Sequence, residues 1–431
     1  MKSDDIIKDA KKQAIAMNSS FDVTNHKNGA TVLPTFKNMT IYLSTDQTLV
    51  GLFRYNRFSH QTEVAVKPDW GSYGSYPKPI NDHDIIHLRK YLAEEYGIDC
   101  SMANLDNAIT YIATKNSYDP VLRYLKSVKW DGEPRIDNWL TEYMGVEEDT
   151  YSRFIGKMTL VGACARVDKP GIKYDYMLIL EGQQGIGKSE GLRALGGEWF
   201  KEMSLTDRTK DTVEKMQGAW IIEVPELSVF KKRDIESLKA FITMNTDKER
   251  LPYGRRSQFF PRRNIFVGTI NPSNSGYLTD STGNRRFMPV SCTEINVPRI
   301  FADRDQLWAE AWQAYKDNSP LYPTIEISGL SSFAQAKREI VDEWQDDIER
   351  HVKDMERVTS TDIWIGCLSG TLDRFDLNSQ RRISDCLQKL GWERRTIRVN
   401  GKPIKGFSRS EDDIEKRRLD DKESLDLPWE D

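Results

Sequence analysis

The sequence predicts an α/β fold in which a parallel sheet is built around a phosphate-binding loop. A small α+β domain precedes this core and a winged-helix-like domain follows it. Three observations carry the prediction. Residues Gly182-Gln-Gln-Gly-Ile-Gly187-Lys188-Ser189 fill the G-x-x-x-x-G-K-[ST] pattern between an apolar strand run and a helix start. From about residue 174 to 290, apolar strand runs alternate with helical periodicity, as in parallel α/β folds. Short runs punctuated by turn residues come before that stretch, and two helical runs with a basic hairpin come after it.

The 431 residues divide on this reading into an N-terminal α+β domain (1–120), a loop-containing core with a helical lead-in (121–320), a C-terminal helical domain (321–410) and a charged tail (411–431) without a fold of its own. Residues 1–20 read as a polar helix. Between Thr31 and Val66 three strands are expected, at Met39–Leu43, Leu49–Phe53 and Glu63–Val66, and Gly71–Pro79 reads as a loop. Helical periodicity runs from Asp82 to Leu125 with a break at Tyr96-Gly97. Gly132 and Pro134 punctuate the approach to a helix at Trp139, and a further helix spans Tyr151 to Arg166, ahead of Pro170-Gly171. Another helix is expected from Asp305 to Tyr315. No internal repeat is present.

Composition narrows the class. With 38% hydrophobic residues, 30% charged residues and a net charge of −4, the chain reads as soluble and globular. No run of about 18 apolar residues is available to span a membrane. The opening Met1-Lys-Ser-Asp-Asp has no apolar signal core, and the five cysteines (Cys100, Cys164, Cys292, Cys367, Cys386) form no C-x-x-C pair. Both features lead to the expectation of a cytoplasmic protein with reduced thiols. His83 and His87 share a helix face, but Asp84 is one methylene too short for the base of an H-E-x-x-H site and no third ligand is evident.

The loop carries the chemistry. Backbone N–H groups of Gly182, Gln183, Gln184, Gly185, Ile186, Gly187 and Glu190, with the positive end of the following helix, suit the phosphates of ATP. Lys188 would reach the β- and γ-phosphates and Ser189 would ligate Mg2+. About 35 residues on, Trp220-Ile-Ile-Glu223-Val-Pro-Glu226 is an apolar strand ending in acids. Pro225 is expected to turn Glu226 back toward the loop. Glu223 is assigned to the metal and Glu226 to the attacking water, and the reverse assignment stays open. A third strand, Asn264 to Thr269, ends near Asn271, whose amide suits a sensor of the γ-phosphate; a plain Asn-Pro turn is the competing reading. Arg285 and Arg286 lie some 15 residues further on, where an arginine finger would stabilise charge in phosphoryl transfer. Arg286 is the first choice and Arg285 the second; a ring motor takes this residue from the adjacent subunit.

These residues resemble the virulence-associated protein E family, phage- and island-borne ATPases related to superfamily 3 helicases. The resemblance lies in Trp130-Asp-Gly-Glu-Pro-Arg135, the loop, Gly218–Leu227, Lys239-Ala-Phe-Ile242, Arg250–Arg255, Gly268-Thr-Ile-Asn271, Thr282–Pro289 and Asp303–Glu310, in order over about residues 120 to 315. It implies an AAA+-like core, a homo-oligomeric ring of hexameric type, and work on the DNA of a mobile element alongside other replication proteins. Relatives with an upstream primase domain are longer, and the first 120 residues here show no such signature.

Two stretches are candidates for DNA. Lys248 to Arg263 interleaves basic and aromatic residues around Gly254, and Tyr253, Arg255 and Arg256 are the expected contacts. The alternative is that these arginines serve a neighbouring subunit's nucleotide. Near the C-terminus, helices at Thr361–Ile365 and Asn378–Leu387 precede a hairpin turning at Asn400-Gly401. Arg381 and Arg382 on the second helix, and Arg394 and Arg395 on the hairpin, would meet DNA in a winged helix; a protein-docking domain is the alternative. The leading expectation is a Mg-ATP-dependent, ring-forming DNA helicase or replication initiator. Its rivals are a non-unwinding ATP switch on DNA and a small-molecule kinase.

Overall fold

The computed structural model describes residues 21–26, 29–71, 74–204, 210–226, 232–250, 257–271, 277–278, 284–338, 342–399 and 402–409. The chain divides into two compact units. The larger comprises Met1–Leu227, Glu236–Asn271 and Arg286–Ser331, and the smaller Ser228–Ile235, Pro272–Arg285 and Ser332–Asp431. The expected helix over residues 1–20 and the tail over 411–431 lie outside the described residues.

The N-terminal part of the larger unit begins with a hairpin of β1 (Val23–His26) and β2 (Gly29–Val32), followed by helix α1 (Phe36–Thr45). The strand expected at Met39–Leu43 is thus a helix. Met39, Ile41 and Leu43 alternate as in a strand, but the buried positions are Asn38, Met39, Tyr42 and Leu43, which is the spacing of a helical face. Thr35 fixes the start by accepting from the Asn38 N–H. The strand expected at Leu49–Phe53 is largely a turn, because the Asp46 carboxylate captures the N–H groups of Thr48 and Leu49. Chain pairing resumes in β3 (Phe53–Asn56), β4 (Gln61–Val64) and β5 (Lys78–Pro79), which form a three-stranded antiparallel sheet. Helices α2 (Asp82–Tyr96) and α3 (Met102–Lys115) close the core over Met39, Leu43, Leu88, Leu92, Leu105 and Ile109. An Asn81–Asp84 capping box starts α2, and Gly97, at φ 68°, ends it.

Helix α4 (Pro120–Ser127) starts on an Asp119 cap with proline in its first turn, and α5 (Trp139–Met144) and α6 (Thr150–Asp168) follow. The central sheet then assembles from β6 (Met177–Glu181), helix α7 (Lys188–Gly196), β7 (Phe200–Glu202), helix α8 (Lys210–Met216) and β8 (Ile221–Val224). Helix α9 (Lys232–Thr243), an arm of β9 (Thr246–Glu249) and β10 (Gln258–Pro261), then β11 (Ile265–Ile270) and β12 (Phe287–Ser291) complete it. The strand order is β12-β6-β11-β8-β7, with every pair parallel. Strands β6, β8 and β11 are buried along their whole length, as strands covered on both faces must be. Helix α10 (Val297–Lys316) packs across α6 and α7. Trp220 and Trp308 stack with ring centroids 3.9 Å apart, and their indole N–H groups bond to the carbonyls of Ala163 and Leu195.

The β9–β10 arm leaves this core at a buried arginine. Arg262, 1% exposed at its side chain, makes a two-pronged pair with Asp247 (2.7 and 2.8 Å) and lies over the rings of Phe241 and Phe266. It also donates to the Phe241 carbonyl.

Helix α11 (Ile325–Ala336) leads out of the core. The described residues of the smaller unit include α12 (Gln345–His351), β13 (Arg357–Val358), α13 (Ser360–Asp362), which runs on into a π-helical turn at Ile363–Cys367, and α14 (Leu377–Lys389). A hairpin of β14 (Glu393–Val399) and β15 (Lys402–Ser408) follows, with β13 paired to β15. Ile348, Ile363, Ile383, Leu387, Trp392 and Phe407 form its core. Two helices and a basic hairpin therefore occur where the sequence placed them.

Replacing Arg262 with Met is expected to strand the Asp247 carboxylate in the interior and cost about 3–5 kcal/mol. The check is the denaturation midpoint, and an unshifted midpoint would remove the pair from the list of structural anchors.

Candidate active site

Three adjacent parallel strands end on the same side of the sheet, where ligands of open α/β folds bind. After β6 the chain enters the Gly182–Gly187 loop, after β8 it reaches Pro225-Glu226, and after β11 it reaches Asn271. Gly182 is required by contact, since a Cβ there would sit 2.8 Å from the Cys292 carbonyl oxygen. Gly187 is required by conformation, at φ 95°, where it caps α7 without a side-chain acceptor for the first N–H groups of the helix. The loop and strand ends enclose a cavity of about 380 Å³ lined by Gln184, Gly185, Gly187, Lys188, Ser189 and Glu190 on the loop side. Glu202, Pro225, Glu226, Thr269, Ile270 and Asn271 line the other side.

The hydrogen bonds across it are specific. The Lys188 ammonium donates to the carbonyls of Gly182 (2.6 Å) and Gln183 (2.9 Å) and to Oδ1 of Asn271 (3.2 Å). Burial lowers the lysine pKa. The Ser189 hydroxyl donates to Glu223 Oε1 at 2.7 Å, and the Thr269 hydroxyl donates to the same oxygen at 2.6 Å. Glu223 is wholly buried, and its other oxygen, Oε2, has no hydrogen-bond partner. Burial pushes this carboxyl up despite the two hydroxyl donors, and the charges of Glu202 and Glu190 push the same way. A buried, unsatisfied carboxylate oxygen beside a serine hydroxyl is a donor set suited to a hard divalent cation.

Glu226 lies at the cavity with φ 53°, a left-handed conformation that a non-glycine residue adopts at a cost. Pro225 and this turn bring the second acid to the lining. Glu202 and Thr269 also belong here, and the sequence reading passed over both. Glu202 sits opposite Glu223 in the β7–β8 register, but a lone acid on a three-residue strand gives no signal in sequence. Thr269 alternates with Val267 on β11, so only the β8 pairing shows that its hydroxyl meets Glu223.

Arg286 is placed elsewhere. It immediately precedes β12, whose Phe287 stands opposite Met177 at the start of β6. Five residues of parallel strand, roughly 16 Å at about 3.3 Å per residue, separate that edge from Gly182. Arg286 is half-buried with its Nε unpartnered, and Arg285 is exposed. Neither lines the cavity.

Tyr253, Arg255 and Arg256 lie outside the described residues. The flanking strands do pair as an antiparallel ribbon, with Lys248 opposite Phe259. Phe259 is 66% exposed and the Lys248 ammonium sits 5.2 Å from its ring centroid. On the smaller unit, Arg381 and Arg394 are exposed. The Arg382 guanidinium pairs with Asp342 (2.7 Å) and stacks on Trp344, and Arg395 pairs with Glu393 (2.6 Å). His83 and His87 are both exposed on α2.

The stretch Trp130–Arg135 docks on α10. The backbone N–H groups of Arg135 and Ile136 donate to Glu310, that of Asp131 donates to Gln306, and Arg135 pairs with Asp131 at 2.8 Å.

A sequence model of the virulence-associated protein E-like domain matches residues 125–340. No curated protein matches the chain. Among solved structures, the apo A form of the NrS-1 C-terminal region is similar at a TM-score of 0.47 and 14% identity, over 88% of this chain and all of that one. A second structure of that region gives 0.44 and 13% over the same shares. Among the described residues no helix is long and apolar enough to cross a membrane.

The strained backbone at Glu226 is open to test. Glu226→Gly should leave thermal stability level or slightly raised, whereas Glu226→Val should lose about 1–2 kcal/mol. Equal losses in both melting curves would show that φ at this position carries no strain.

Proposed function

The chain belongs to the virulence-associated protein E-like family, and on that premise we propose that it is a Mg-ATP-dependent DNA motor, a ring-forming helicase or replication initiator of a phage or other mobile element. The observation that carries this reading is the convergence of Lys188, Ser189, Glu223 and Asn271 at the carboxyl ends of three neighbouring strands, joined by direct hydrogen bonds. On this reading the sheet is an AAA+-like core. Residues 321–410 are a winged-helix-like domain, the N-terminal domain occupies 1–120, and the protein works in the cytoplasm with replication proteins.

The loop N–H groups and the uncapped start of α7 receive the phosphates of ATP. Lys188 would leave the carbonyls of Gly182 and Gln183 for phosphate oxygens, and Asn271, bonded to it, would serve as the sensor of the γ-phosphate. Ser189 and Glu223 would hold Mg2+, with Glu223 Oε2 as the free acceptor, and the ion would supply charge neutralisation for the phosphates. Glu226 orients the attacking water from the cavity wall. Arg286 lies at the far edge of the sheet, so within one subunit it does not reach the transferred phosphoryl group, and it serves the nucleotide of an adjacent copy. DNA is gripped by the β9–β10 arm through Tyr253, Arg255 and Arg256, with Phe259 as a stacking surface and Lys248 beside it. Arg381, Arg382, Arg394 and Arg395 form the second contact region, where Arg382 must first be released from Asp342 and Trp344.

ATP-dependent unwinding of a forked duplex is the deciding assay; hydrolysis without strand separation would favour the ATP switch. Lys188→Ala should abolish hydrolysis, and Glu226→Gln should bind ATP but turn it over at least ~100-fold more slowly. Arg286→Ala should bind ATP without hydrolysing it, and mixing with excess Lys188→Ala protein should restore part of the turnover. Assembled mixtures that stay inactive would count against an arginine supplied across a subunit boundary.

A further inference from the structure

We propose that the N-terminal region is a strut that sets the position of the β9–β10 arm, with Arg263 as the positioning residue that fastens the two. The proposal rests on the reading of the arm as the DNA-gripping element. Arg263 follows the arm directly, and its guanidinium pairs with Asp119, with side-chain exposures of 18% and 3%. Asp119 belongs to the N-terminal side, where it also caps α4 through the Leu122 N–H. The turn between β3 and β4 makes the second attachment. His60, held at φ 56°, meets the Phe260 ring edge-on at 5.0 Å, and the Phe58 carbonyl accepts from the Gly218 N–H. Burial and the Arg263 charge push His60 down to about 4, so a neutral imidazole faces that guanidinium.

Arg262 and Arg263 turn opposite ways. Arg262 ties the arm's base to the core through Asp247 and Phe241, and Arg263 ties the same base to the N-terminal region. Beyond the arginines the chain runs straight into β11 and on to Asn271. A two-stranded ribbon has little stability alone, so the direction in which Phe259 is presented depends on how its base is held. Losing one of two anchors frees the arm while leaving the hydrogen bonds of the cavity intact.

The test uses the full chain with Arg263→Ala and Arg263→Lys, and His60→Gly, which removes the ring without a conformational penalty. Hydrogen exchange across residues 246–250 and 257–261 should rise about tenfold in Arg263→Ala and in His60→Gly. The oligothymidylate concentration giving half-maximal stimulation of ATP hydrolysis should rise about tenfold as well, with basal turnover unchanged. Arg263→Lys should restore most of both. Phe259→Ala should weaken the oligothymidylate effect without changing exchange. Wild-type exchange in the arm of both Arg263→Ala and His60→Gly would overturn the proposal, as would a fall in basal turnover that tracks the loss of stimulation. If the unmodified protein shows no response to oligothymidylate, the DNA reading fails, and the exchange data still decide whether the strut exists.

Discussion

One carboxylate organises the sheet's working edge. Glu223 is buried on β8 and accepts from Ser189, at the start of α7, and from Thr269 on β11. A single oxygen on β8 therefore fixes the position of two other elements, whose hydroxyls lie 34 and 46 residues away from it in sequence. A buried carboxyl group is costly unless satisfied. Here one oxygen is satisfied twice and the other not at all. That imbalance is unusual for a group with a purely structural role. On the proposed reading, binding a metal supplies what the fold leaves out, and so the fold pays in advance for the geometry of the loop.

The parallel sheet imposes a second constraint. Because β12 runs in the same direction as β6, the residue before β12 is carried to the opposite edge from the residue after β6. No side-chain rotation brings Arg286 back across the length of the strand. The separation follows from strand direction and register alone, so small shifts of the loop do not alter it. On the proposed reading, a site that needs this guanidinium takes it from another copy, and catalysis would then depend on assembly.

Much of this was legible in the sequence. The Gly182–Ser189 pattern, the acid-terminated strand and the polar residue after the next strand each named a residue that the structure brings to one cavity: Lys188, Glu226 and Asn271. These signals are local, a few residues at a strand end, and local chemistry survives in sequence. What could not be read depends on pairing. Glu202 and Thr269 matter because of the strands beside them. Met39–Leu43 alternates like a strand and folds as a helix, because the Thr35 cap and packing against α3 outweigh the alternation of three apolar residues. Arg382 looked free for DNA because sequence does not show that Asp342 and Trp344 stand next to it.

The family-matching stretches outside the cavity have a physical use as well. Helix α7 presents an uncapped N-terminus to the cavity, and its direction decides where those N–H groups point. Its far end is held by the Trp308 indole, which donates to the Leu195 carbonyl. Trp308 lies on α10, and α10 is held in turn by the Trp130–Arg135 stretch, whose backbone N–H groups close on Glu310 and Gln306. Burial raises the pKa of Glu310, while the Arg135 and Ile136 N–H groups oppose that shift by favouring the charged form. Two stretches about 170 residues apart therefore act as one brace behind the loop. They line no part of the cavity, yet they determine the aim of the helix end that, on the proposed reading, receives phosphate.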